Sequence, residues 1–171
     1  MSRMLKPLLL ASLAAISLSA CQSNGAASSN HDAAASESHN NTCRQTRGDT
    51  ASGGRNVLYR CNGQAVLASA EAKSILSGGA TISFGGGGSV IRNNMITRQA
   101  ARRFGKSDEA ACERAYINAA KKFQETAAKH GGKRVSNFQS YLNKRTLGGG
   151  QYECEVGTFH ARVVIQADIA R

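Results

Sequence analysis

Five cysteines and a few scattered acids and imidazoles are the side chains of this 171-residue chain whose types and spacing invite chemistry. Cys43, Cys61, Cys112 and Cys154 are even in number and contain no Cys-x-x-Cys step, so their spacing suits neither a zinc site nor a dithiol redox centre. In an oxidising compartment four such thiols form two disulfides. They allow three pairings, of which we prefer Cys43–Cys61, closing a local loop, with Cys112–Cys154, joining a helix to a strand. A hydrolase would need a base with a nucleophile or paired carboxylates. His160, Glu153 and Glu155 are the candidates. Glu153 and Glu155 flank Cys154, His160 projects opposite Phe159, and lone polar residues on a solvated sheet face account for all three. His31 and His39 lie in a segment without cysteines or regular spacing. The reading is of no catalytic residues, no metal and no cofactor.

The fifth cysteine sits differently. Arg3 and Lys6 precede an apolar stretch from Leu8 to Leu18, the pattern of an export signal over residues 1–20. The stretch is short of the ~20 apolar residues a comfortable spanning helix needs. It ends in Leu18-Ser19-Ala20-Cys21, which resembles the bacterial lipobox, where the cysteine is acylated and becomes the first mature residue. Two or more chains make such anchoring durable. Gln22, rather than Asp, leads one to expect the outer membrane. Residues 22–42 are mostly Ala, Ser and Asn and cannot bury enough apolar area to fold, so residues 21–42 read as the lipidated cysteine and a disordered tether. The expected location is the outer membrane, lipid-anchored on its periplasmic face.

The formal net charge is +11, and removal of the segment carrying Arg3 and Lys6 leaves about nine excess positive charges. In a cytosolic protein that balance would suggest nucleic acid. The export signal argues against it, and lipid phosphates, lipopolysaccharide or an acidic protein become the fitting partners. A candidate basic contact surface begins at Arg98, Arg102, Arg103 and Lys106. It continues through Lys121, Lys122 and Lys129, then Lys133 and Arg134, then Lys144 and Arg145.

The elements that must position these residues are legible in part. Residues 43–89 read as a small hairpin-containing lobe with a Gly-rich connection, and 90–171 as a strand-helix-strand-strand domain. NVLYRC and QAVLAS flank Asn62-Gly63, a favoured two-residue turn, and predict a hairpin over 55–69. SAEAKSIL reads as a short helix, TISF as a short strand, and Gly85–Gly88 as a connection lacking the Gly-Lys-Ser/Thr of a phosphate loop. An extended segment over 90–99 leads to the one long helix. Ser107 caps it and Asp108 and Glu109 occupy its first turn. Cys112, Tyr116, Ala119, Phe123 and Ala127, widened by Ala115 and Ala120, form its apolar stripe. Glu125 and Lys129 stand four apart as a favourable pair, and Gly131-Gly132 ends the helix. Strands over 134–142 and 151–168 follow. In the second, the apolar phase passes from Tyr152, Cys154 and Val156 to Phe159, Ala161, Val163 and Ile165, which predicts a bulge at Gly157. An exposed edge strand is expected at 134–142. The fold class is α+β, one long helix on an antiparallel-rich sheet, stiffened by disulfides.

KSDEAACERAYINAAKKFQETAAKHGGKRVSNFQSY followed by YECEVGTFHARVVIQADI resembles a family of small bacterial exported proteins often labelled "excinuclease ATPase subunit". The likeness covers about residues 90–169 and is carried by the Ser-Asp-Glu-x-x-Cys helix start and the Tyr-x-Cys strand. No Walker lysine or zinc-finger cysteine array accompanies it, so the ATPase label does not transfer. Members commonly carry an Asn-Ala-Val-Val-type strand where this chain has Lys133-Arg134-Val135-Ser136. More remotely, the layout resembles the outer-membrane stress-sensing lipoprotein of the Rcs phosphorelay, in which Cys112 and Cys154 would match a helix–strand disulfide. Cys43 and Cys61 precede the matched region, whereas that sensor's second bridge lies inside its domain. The resemblance implies a lipid-anchored, non-catalytic module that binds or senses through protein contacts. The alternatives are a structural or assembly subunit of an envelope complex and, less favoured, a small cell-wall hydrolase. The oligomeric state is left open.

Overall fold

A computed structural model describes residues 42–49 and 54–171; Cys21, His31 and His39, and with them the expected signal, lipidation and tether, lie outside the described residues. The described elements are β1 (Cys43–Asp49), β2 (Asn56–Asn62), α1 (Gly63–Ala68), α2 (Ala70–Leu76), β3 (Thr81–Ile82) and β4 (Val90–Arg102). They continue with α3 (Asp108–Lys129), β5 (Arg134–Ser140), a 3-10 turn (Leu142–Lys144), β6 (Gln151–Val156) and β7 (His160–Ala170).

The helix α3 follows from its sequence. Ser107 Oγ accepts from the Ala110 amide at 3.1 Å, capping the first turn. All seven residues of its apolar stripe are buried. At the far end Gly131 takes φ +69°, a left-handed conformation that costs glycine no Cβ clash. This lets the Gly131 and Gly132 amides donate back to Ala128 and Ala127. Glu125 pairs with Lys122 at 3.6 Å, one turn before it, instead of with Lys129.

Strand β7 is the axis of a seven-stranded sheet. Antiparallel β4 runs along one of its edges. On the other edge β6 pairs with its first residues and antiparallel β5 with its last. β2 and then β1 extend the sheet beyond β6, and the short parallel β3 flanks β5. Ala161, Val163, Ile165, Ala167 and Ile169 of β7 point inward with Tyr152, Cys154 and Val156 of β6, all buried in one core with the α3 stripe. Tyr116 stacks on Tyr152 at 3.9 Å between ring centroids, and Phe138 receives Tyr116 and Phe123 edge-on at 5.4 and 5.8 Å. Irregularities in β4 and β5 converge on one acid: Asn94 and Asn137, both left-handed, bond the Asp168 carboxylate at 2.7 Å each.

Both disulfides join the preferred partners, Cys43–Cys61 and Cys112–Cys154. Three sequence expectations are corrected. Residues 55–69 form no hairpin: β2 pairs with β1 and β6, and Asn62 accepts from the Ala65 amide to cap α1. Gln64, Ala65, Leu67 and Ala68 are good helix formers, and the neighbours β2 needs come from elsewhere in the chain. The bulge at Gly157 is instead a hairpin between β6 and β7, with the Gly157 amide donating to His160 at 2.9 Å. Val156 then faces Ala161, so paired positions sum to an odd number and the inward phase must switch from even to odd. The strand at 134–140 is no open edge, because β7 flanks one side and residues 81–85 bond the other. β4 is an edge.

Candidate interaction surface

The N-terminal end of α3 gathers a dense set of polar bonds. Arg55 and Arg103 both ion-pair with Asp108, Arg103 at 2.6 Å, and the Tyr59 hydroxyl donates to the same carboxylate at 2.7 Å. Burial pushes the Asp108 carboxyl up, but the Tyr59 and Arg103 hydrogen bonds and the charges of Arg55 and Arg103 outweigh it and hold the group below its ordinary range. Tyr59 is raised, first by burial and then by its bond to Asp108. One residue on, Glu109 accepts from the Cys43 amide at 3.0 Å, and the Thr42 hydroxyl lies 2.8 and 2.6 Å from the Glu109 and Glu113 carboxylates. The start of the described chain is thereby held to the first two turns of α3. Burial pushes the Tyr116 phenol well up. Tyr152 is raised by burial, then by the charges of Tyr116, Glu113 and Glu109.

The structure scatters the expected hydrolytic candidates. Glu155 is paired with Arg162 and Glu153 with Arg60 at 3.7 Å. These four lie on the sheet face opposite α3, as does His160, which is exposed and registered against Arg102. Neither carboxylate meets His160. Among the described residues no group of three or more His, Cys, Asp or Glu is placed to hold a metal ion.

The eleven cations of the basic set do not gather in one place. Arg98 and Arg102 pair with Val164 and His160 of β7, which puts them on the open sheet face. Arg103 is drawn to Asp108, and Lys106 stands in the turn before α3. Lys121, Lys122 and Lys129 belong to α3, in the opposite layer. Lys133 and Arg134 open β5, and Lys144 and Arg145 follow it.

Sequence reasoning missed the apolar end of the open face. Phe159, assigned by its phase to the core, is 72% exposed at the β6–β7 turn, and Phe104 is 94% exposed in the β4–α3 turn. The Arg103 amide donates to the Phe159 carbonyl at 2.9 Å, joining the two turns. Arg102, Phe104, Phe159 and His160 line a concavity of about 270 Å³ between them. The available signal was Phe104 itself, between Arg102-Arg103 and Gly105 with no apolar partner in phase. A second hollow, about 320 Å³, lies beside α2 and β3, where Gln124 donates to the Leu76 and Ala80 carbonyls at 3.0 Å. No family model, curated protein or solved structure matches this chain.

Proposed function

We propose that the protein is an envelope lipoprotein, anchored through Cys21 to the periplasmic side of the outer membrane, whose domain is a non-catalytic binding or sensing module. Its ligand is another protein or an anionic component of that surface. The observation carrying this reading is that every cysteine of the domain is committed to a disulfide, behind a lipobox-like segment. Such bridges persist in oxidising compartments. The acids nearest to a catalytic pattern are engaged by arginines, which favours a structural over a reactive role for them. Mass spectrometry of protein extracted from membranes tests the reading. The expected species begins at an acylated Cys21 and has no free thiol. A full-length, reduced chain recovered from the cytoplasm would overturn it.

A further inference from the structure

We infer that the paired turns bearing Phe104 and Phe159 form a docking tip for an anionic lipid bilayer, seating the domain on the membrane that holds its anchor. The inference rests on the lipoprotein reading and adds to it the surface, orientation and ligand class.

Two phenylalanines this exposed are costly to leave in water, and both sit at the crests of turns where they can enter a soft interface without moving the core. Their setting has the charge that an anionic headgroup layer would meet. Arg98, Arg102 and Lys106 are exposed and make no ion pair with the described residues, while Asp108 and Glu155 are paired with Arg55, Arg103 and Arg162, and Glu109 accepts from Thr42 and the Cys43 amide. An apolar crest ringed by unpaired cations is the arrangement of an interfacial anchor. Location adds a third observation. Thr42, where the chain leading from Cys21 joins the domain, is held to the first two turns of α3, the helix that the Phe104 turn opens. Tether and tip therefore share the α3 N-terminal end. A weak surface contact becomes effective there, because anchoring keeps the local concentration of membrane high.

The chain has no tryptophan, so a single introduced indole reports its own surroundings. Full-length acylated protein carrying Phe104→Trp would be reconstituted into phosphatidylglycerol-containing and pure phosphatidylcholine vesicles. Flotation reads the anchor, and quenching by brominated acyl chains reads the tip. Expected are flotation with both vesicles, and blue-shifted, bromolipid-quenched emission with the anionic ones. Val90→Trp, at the other end of β4 about 40 Å away, should remain water-exposed. In a chain begun at Gln22, which lacks both the signal segment and the acylated cysteine, each of Arg102→Gln and Lys106→Gln should weaken partitioning about fivefold. Flotation of the Phe104→Trp protein with its indole still fully open to aqueous iodide would overturn the tip and leave the lipoprotein reading intact. A blue shift that needs only higher protein concentration, without lipid, would identify a second copy as the occupant and also overturn it. Failure of the acylated preparation to float would count against the anchor itself.

Discussion

The Cys43–Cys61 bridge joins residues that already face each other across the β1–β2 ladder, whereas Cys112–Cys154 joins α3 to β6, layers with no backbone hydrogen bond between them among the described residues. The first bridge lies within a register of six residue pairs, its own among them. The second is the covalent link between helix and sheet, with both cysteines fully buried beside the stacked Tyr116 and Tyr152. Their surroundings differ too. Cys43 is half-buried at the chain's approach to α3, held there by Glu109. One bridge secures an outlying pair of strands, and the other secures the two layers of the core.

The largest effect expected is from Cys112→Ala with Cys154→Ala. The 42-residue separation corresponds to about 4 kcal/mol in a loop-closure treatment, and denaturant unfolding with both variants reads it. Cys43→Ala with Cys61→Ala, at a separation of 18, is expected to cost about 3 kcal/mol. In graded reductant, alkylation mapped by mass should show Cys43–Cys61 opening first, since Cys43 is reachable and the other pair is not. Opening of Cys112–Cys154 first would reverse the comparison.

A smaller change isolates the polar tie between the two regions. Asp108→Asn leaves Arg55 and Arg103 without their carboxylate and should cost about 1–3 kcal/mol. Because folding lowers this carboxyl below its unfolded value of ~3.9, its contribution is complete above that pH and is lost as the pH falls through the folded value. The variant should therefore lose less stability than the parent on acidification below about pH 4. Equal acid limbs would remove Asp108 from the account. The smallest effect is Tyr152→Phe. The buried hydroxyl has no partner among the described residues, so its removal should be neutral or stabilise by up to ~1 kcal/mol. It also deletes a phenol whose raised value makes stability fall as pH climbs past ~10. The alkaline midpoint should rise.

Legibility followed how local the governing interactions are. Ser107, Asp108 and Gly131-Gly132 act within a turn of their own positions, so both ends of α3 and its buried stripe could be read residue by residue. Asn62-Gly63 shows where such reading stops. The same two residues suit a hairpin turn or a helix cap, and the choice fell to the cap because β2 found its partners in β1 and β6. The phase change after Val156 was visible as a pattern, but a bulge and a short hairpin shift phase alike. Phe159 therefore left the core for a turn. The candidate tip was out of reach for a related reason: Phe104 and Phe159 are 55 positions apart, and only the pairing of β4 with β7 makes them neighbours.

By itself the sequence determined a helix with its caps and apolar face, an even set of cysteines behind a lipobox-like segment, and a strongly basic balance, since these are properties of composition and of spacings within a few residues. Tertiary structure alone decided which strands were left at the sheet's edges, which carboxylates were neutralised by arginine, and which two phenylalanines were left in water. Those outcomes depend on contacts between residues distant in the chain, where many arrangements satisfy the same local preferences and packing selects one.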